Sequence, residues 1–304
     1  MISKVRPVFL KFISERATNS SNFKFELTNS INIRNRSRAS FFCSNSSNGT
    51  SASDCARSID CGISMVQGAS RGIGLEFVRQ LLENQDKGHV IATCRNPNGA
   101  VSLQELKIKF PERLNILQLD VTDESTIEAS AKCVQERYCS LNLLINATGV
   151  LQPETTLSQV EKSSLLLAYE VNAAGPILVI KHMWPLLKKG GGSGTGRDVA
   201  VVANLSSRVG SVGDSLLGGW HSYRSSKTAL NQCRFFYLKI SFMTKTVSVE
   251  FGRKKDPIAC ILLHPGTVDT DLTKPFQKNI AEGKLLTREF SVQAPRHHQQ
   301  REEL

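Results

Sequence analysis

A chain of 304 residues with 40% hydrophobic and 21% charged residues can bury a domain-sized core and is not a disordered polymer. The formal charge is +11, but no Lys/Arg-rich run carries interleaved aromatic residues, which excludes a nucleic-acid-binding stripe. No continuous apolar run reaches the ~18 residues expected of a transmembrane segment, and eight cysteines without a C-x-x-C pair predict reduced structural thiols rather than a zinc module.

Residues 1 to 62 carry nine Lys/Arg against four Asp/Glu, many Ser and Asn, and little apolar periodicity. Arg34, Arg36 and Arg38 beside Ser37 and Ser40 give them the composition of an organellar transit peptide, with the chloroplast preferred over the mitochondrion. The alternative is a disordered extension without an address, which would leave the protein cytoplasmic. The apolar stretch Pro7 to Ile13 is short and interrupted by Lys11, so a secretory signal is disfavoured.

Ile63 to Gln67 reads as a short apolar strand. Gly68-Ala69-Ser70-Arg71-Gly72-Ile73-Gly74 follows, and then the helical pattern of Leu75, Phe77, Val78, Leu81 and Leu82. A strand that turns through glycines into a helix N-terminus makes an anion site: backbone N–H groups and the helix dipole point at a pyrophosphate, and missing Cβ atoms let it approach. Further strands are predicted near 88 to 93, 114 to 119, 141 to 146, 198 to 205 and 258 to 264, with helices between them. That alternation predicts one doubly wound, parallel α/β sheet flanked by helices over residues 63 to 293.

The second strand runs into Cys94-Arg95, where a chain that binds NAD usually carries an acidic residue to accept ribose hydroxyls. Arg95, helped by Arg71, would instead pair a 2′-phosphate, so the expected cofactor is NADP(H). Gly190 to Gly196 follows a helix and leads into a strand, the reverse of a phosphate loop, and reads as a connector. Tyr223 and Lys227 are four residues apart and would share one helix face. An ammonium near a phenol favours the phenolate and would lower the Tyr223 pKa toward neutrality. His297-His298 lies in a polar tail, 294 to 304, with no other ligand at a metal-binding spacing.

Taken in order, these motifs resemble the short-chain dehydrogenase/reductase family from about Ile63 to Lys274. They are Gly68, Gly72 and Gly74; Leu119-Asp120-Val121; Asn146-Ala147-Thr148-Gly149; Val171-Asn172; Asn204-Leu205-Ser206-Ser207; Tyr223 with Lys227; and His264-Pro265-Gly266-Thr267-Val268. Gly210 to Asp214 and Gly218 to Arg224 look most like the C-factor-like, carbonyl-reductase-like branch.

The resemblance implies a Rossmann-type domain and reduction of a small carbonyl substrate, or oxidation of the matching alcohol, with NADP(H). It implies that Tyr223 donates the proton, Ser207 rather than Ser206 holds the carbonyl oxygen, Lys227 binds the nicotinamide ribose, and Asn172 holds a relay water. Around the cofactor it places Gly68, Ser70, Arg71, Gly72, Ile73 and Gly74 at the pyrophosphate. Arg95 meets the 2′-phosphate, Asp120 and Val121 the adenine, and Asn146 and Gly149 the adenosine-side loop. Pro265, Gly266 and Thr267 lie at the carboxamide. A homo-oligomer is compatible with this reading.

The chain departs from the family in two places. Residues 233 to 243 intervene where the helix carrying Tyr223 would pass almost directly into Thr244. About ten extra helical residues would add ~15 Å and rotate the later face by ~80°, so the downstream apolar face could miss its sheet; the alternative is that the insert loops out and exposes its Phe, Tyr, Leu and Ile residues. After Gln293 the family's further helix and last strand are missing, which is expected to leave a sheet edge bare. The alternative function is therefore a cofactor-binding but catalytically impaired isoform with a disrupted C-terminal half. A Rossmann-like methyltransferase is disfavoured by the Tyr223/Lys227 pair and Ser207.

Overall fold

The computed structural model describes residues 62–84, 87–191, 198–214, 218–231 and 244–293. The expectations about the leader, the inserted residues 233 to 243 and the tail lie outside the described residues.

Six parallel strands form the central sheet: β1 (Ile63–Gln67), β2 (His89–Cys94), β3 (Leu114–Gln118), β4 (Leu143–Asn146), β5 (Ala200–Leu205) and β6 (Ile258–Leu263). Their order is β3-β2-β1-β4-β5-β6, a doubly wound Rossmann-like arrangement. Because β1 and β4 are neighbours, the chain reverses its direction of winding between them. The crevice above their carboxyl ends is where such sheets bind ligands.

The central strands are buried on both faces, which explains why β1, β4 and β5 read as apolar runs rather than alternating ones. Successive side chains still take opposite faces. Met65, Leu144 and Val202 join one core with α3 (Glu124–Tyr138) and α5 (Gly175–Gly190), while Val66, Ile145 and Ala203 join a second core with α1 (Gly72–Asn84) and α2 (Val101–Lys109). In α1, Phe77, Val78, Leu81 and Leu82 supply the buried face. Asp123 caps α3 by accepting from Ser125 N at 3.0 Å.

One long helical stretch runs from α4 (Lys162–Tyr169) through a π-helical turn, Glu170–Ala174, into α5. It is long and apolar enough to cross a membrane by composition, but 44% of its most apolar window is buried, and Val179, Ile180, Met183 and Leu187 of α5 sit in the core. Packing against the sheet accounts for its hydropathy.

The expected misalignment downstream of the insertion does not occur. Helix α6 (His221–Asn231) carries the Tyr223/Lys227 pair, and α7 (Thr244–Lys254) buries Phe251 to 2% exposure in the first core, with Val247 packed against it. A second anchor holds the same region. Trp184 Nε1 of α5 donates to Asp256 Oδ2 at 2.8 Å, and Lys188 pairs with Asp256 Oδ1 at 3.2 Å. The apolar face of α7 therefore packs on the sheet.

Among the described residues β6 has one neighbour in the sheet, which is the edge expected to be bare. A separate two-stranded parallel ribbon, β7 (Thr267–Val268) and β8 (Leu285–Leu286), follows. The short helix α8 (Arg288–Gln293) then docks on α1: Gln80 Nε2 donates to Glu289 O at 3.3 Å, and Val292 enters the second core.

Candidate active site

The carboxyl ends of the parallel strands bring the motifs together. After β1 the chain turns at Gly68, whose N–H donates to Thr93 O at 3.0 Å, and enters α1 at Gly72. Gly68 has φ +82°, and a Cβ there would meet Thr148 Oγ1 at 2.3 Å. One on Gly74 would meet Gly68 O at 2.1 Å. The loop is therefore folded on itself and against the loop after β4 as tightly as its backbone permits, with α1 starting behind it. Gln67 fastens the same two loops, its Nε2 donating to Thr148 Oγ1 at 2.5 Å. Ser70 and Ile73 are half-buried in this turn.

Arg95 is exposed at the end of β2 beside buried Cys94. Asp120 follows β3, where its Oδ1 accepts from both Thr122 N at 3.0 Å and Thr122 Oγ1 at 2.8 Å. Val121 is buried against Gly175. Asn146 is turned beneath the crevice: its Nδ2 donates to Asn204 Oδ1 at 2.7 Å and only 2% of the residue is exposed, so it braces the β4 loop from below. Asn146 Oδ1 and Asn204 Nδ2 are buried without a partner among the described residues.

Arg71 departs from the expected role, since its guanidinium pairs with Asp271 at 3.4 Å, across from the segment after β7. Pro265, Gly266 and Thr267 continue β6 into β7, with Pro265 O accepting from Ser291 Oγ at 2.8 Å.

Helix α6 is held at several points. Ser222 N donates to Glu154 Oε2 at 2.8 Å, and the Ser222 hydroxyl bonds Glu154 Oε1. Ser226 Oγ accepts from Asn172 Nδ2 at 2.9 Å, and Thr228 Oγ1 donates to Gly210 O at 2.9 Å. Asn172 lies in the π-helical turn at 0% exposure; its Oδ1 accepts from Val150 N at 2.8 Å and its Nδ2 also donates to Val150 O at 2.9 Å. The Asn172 side chain is fully engaged in joining the β4 loop to α6. Pro176, just beyond the π turn, contributes no N–H to the helical ladder.

Of the two adjacent serines, Ser206 turns to Asn231, and Ser207 hydrogen-bonds the Tyr223 hydroxyl. Lys227 is 3% exposed, donates from Nζ to Leu205 O at 2.8 Å, and places Nζ 5.8 Å from the centroid of the Tyr223 ring. A Cβ on Gly149 would lie 3.4 Å from Asn172 Oδ1 and 3.7 Å from Lys227 Nζ, which puts the β4 loop directly over these groups.

The electrostatics differ from the sequence expectation. Burial pushes the Tyr223 phenol up to about 12, and the Ser207 hydrogen bond only partly offsets it. Burial likewise lowers Lys227 to about 8. Lys227 does not set the Tyr223 pKa here because its ammonium is directed at the Leu205 carbonyl and the ring face rather than at the phenol oxygen. Desolvation dominates both groups.

The residues present fit a dinucleotide. Gly68 and Gly74 let the turn fold tightly on itself at the start of α1, where backbone N–H groups would meet a pyrophosphate, and the β2 end offers Arg95 and no carboxylate. Ser207, Tyr223, Lys227 and Asn172 stand on the far side of the β1/β4 switch point, around the β4 loop. Glu154, which touches the start of α6, carries no motif and was not foreseen, and Trp220, within the Gly218 to Arg224 stretch, was given no role of its own. Glu154 lies 68 residues before its partner Ser222, and no local pattern links them.

Comparisons with known proteins agree with this arrangement. The profile of the short chain dehydrogenase family matches residues 63–281. An uncharacterized oxidoreductase of Schizosaccharomyces pombe is 30% identical over 217 residues, covering 71% of this chain and 78% of its own. The 1-hydroxy-2-glutathionyl-2-methyl-3-butene dehydrogenase of Rhodococcus sp. is 31% identical over 215 residues, covering 70% and 80%. Among solved structures, the NADPH-bound carbonyl reductase from chicken fatty liver superposes with TM-score 0.65 at 34% identity, covering 77% of this chain and 84% of that one. The carbonyl reductase Sniffer of D. melanogaster superposes with TM-score 0.63 at 29% identity, covering 77% and 89%.

Proposed function

The chain belongs to the short chain dehydrogenase family, and from that premise we propose that it reduces an aldehyde or ketone, or oxidises the matching alcohol, with NADP(H). The observation that carries this reading is the Ser207–Tyr223 hydrogen bond, set above the buried Lys227 and beside the β4 loop. When bound, the nicotinamide supplies the hydride. Tyr223 then donates its phenolic proton to the oxygen of the substrate carbonyl, and Ser207 holds that oxygen in line. The high pKa of Tyr223 keeps the phenol protonated at neutral pH, which suits the reductive direction.

Lys227 supplies a buried positive charge near the Tyr223 ring and would bind the nicotinamide ribose hydroxyls. Asn172 fixes the π turn, and the carbonyl left without the N–H that Pro176 does not provide would accept from a relay water. Arg95 would recognise the 2′-phosphate, Gly68 to Gly74 the pyrophosphate, and Asp120 and Val121 the adenine.

The impaired-isoform reading gains nothing from the described residues, because α7 is seated on the sheet and α6 is fully anchored. A screen of NADPH oxidation across aldehydes, ketones and quinones tests the proposal. Turnover of at least one class supports it, and a protein that binds NADPH yet oxidises it with none of them refutes it.

A further inference from the structure

Trp220 joins two parts of the site that no motif connects. It precedes α6 with φ +51°, a left-handed conformation that a bulky side chain rarely adopts. Its N–H donates to Glu154 O at 2.6 Å, while the carboxylate of the same Glu154 holds Ser222 two residues later. Held in this way, the indole meets Tyr223 edge-on, with ring centroids 6.5 Å apart and an interplanar angle of 82°. It also lies 4.8 Å from the ring of Phe276, in the turn Lys274–Asn279 that follows β7. Although it touches two rings, the indole is only half-buried, and its N–H has no acceptor among the described residues. Trp184, by contrast, spends its indole N–H on Asp256 and packs on Phe251. Strained backbone that sets a half-covered aromatic ring edge-on to the proton-donating residue is a functional arrangement rather than core packing.

We propose that Trp220, backed by Phe276, is the specificity-determining residue of this site and selects carbonyl substrates with a planar aromatic group next to the reacting carbon. A ring placed against Trp220 takes an offset or edge-on arrangement, and this directs its carbonyl toward the Tyr223 hydroxyl. A short aliphatic aldehyde gains no such contact. The inference rests on the carbonyl reduction proposed above.

The test compares benzaldehyde with butanal in the NADPH-dependent assay, using the full chain, Trp220→Ala and Trp220→Phe. Trp220→Ala is expected to lower kcat/KM for benzaldehyde by about tenfold or more, mainly through KM, and to leave butanal and NADPH affinity within about threefold. Trp220→Phe restores most of the benzaldehyde rate. An equal fall on both aldehydes, or no fall on either, overturns the proposal. Ligand-detected NMR of benzamide, a planar aromatic that is not reduced, separates this outcome from failure of the reductase reading. With NADP+ present, loss of benzamide contact in Trp220→Ala supports the aromatic site even where neither aldehyde turns over, and contact retained in the variant overturns it.

Discussion

The carboxylate of Glu154, from the loop after β4, accepts both the backbone N–H and the hydroxyl of Ser222 in the first turn of α6. It thus acts as an N-cap brought in from 68 residues away for the helix that carries Tyr223 and Lys227. Glu154→Ala removes the cap and leaves buried donors unpaired, so a loss of about 1–3 kcal/mol in urea unfolding is expected. Glu154→Gln, which keeps acceptor capacity at one atom, should lose less. Equal stabilities for wild type and Glu154→Ala would show that the cap is redundant.

Deleting the Tyr223 hydroxyl removes the proposed proton donor but no glycine-loop contact. Tyr223→Phe should lower kcat by about 10²–10⁴-fold while NADPH affinity changes little. Lys227→Ala should weaken both. Steady-state kinetics beside a fluorescence titration of NADPH distinguish the two variants, and a Tyr223→Phe protein with most of its kcat would move proton transfer elsewhere.

Arg95 is the exposed cation at the end of β2. Charge-assisted hydrogen bonds contribute about 1.5–3 kcal/mol, so Arg95→Ala should weaken NADPH binding by about 10- to 100-fold. NADH, which lacks the 2′-phosphate, should be unaffected. Calorimetric titration with both cofactors reads the difference directly.

The buried pair also makes stability depend on pH. Lys227 falls from 10.5 to about 8 on folding, so between those values the unfolded chain holds a proton that the native protein lacks. Stability should therefore rise as pH increases across that window, the cost of the buried ammonium being fully present below pH 8. Tyr223 rises from 10 to about 12, so its contribution is present below pH 10 and is lost toward pH 12. Urea unfolding of the cofactor-free protein between about pH 7.5 and 9.5 should show the rise, and Lys227→Met should flatten it.

Phe251 is the residue that seats α7 on the sheet downstream of residues 232–243. Truncation to Ala should destabilise the protein by about 3–5 kcal/mol, a large share of the ~5–15 kcal/mol margin of a domain. A loss under about 1 kcal/mol would mean that α7 is not packed in the native protein.

The fold was legible where hydrophobic runs are local. Ile63 to Gln67, 88 to 93 and 258 to 264 were expected as strands, and the structure places strands at Ile63–Gln67, His89–Cys94 and Ile258–Leu263. The first two lie in the sheet interior, where an apolar run registers burial on both faces, whereas Ile258–Leu263 is an edge strand with a less evenly buried run. The site was legible as residue types at family spacings. Its electrostatics were not, because the spacing of Tyr223 and Lys227 predicts proximity but not which atom the ammonium faces. Its supports were not either, since Glu154–Ser222 and Trp220–Phe276 are tertiary contacts with no local signal. The expectation for α7 extrapolated helical geometry across the added residues, whereas the burial of Phe251 is a tertiary contact that such an extrapolation does not contain.

Arg71 and Asp271 face each other from opposite walls of the crevice, with side chains 73% and 52% exposed. Any phosphate that recruits Arg71 must first displace an anion the protein already owns, so recognition there is an exchange of partners rather than a gain of one. The affinity gained at that position is the difference between two anions. Salt screens both sides of the exchange, so ionic strength should affect this contact less than it affects Arg95, which has no resident partner among the described residues.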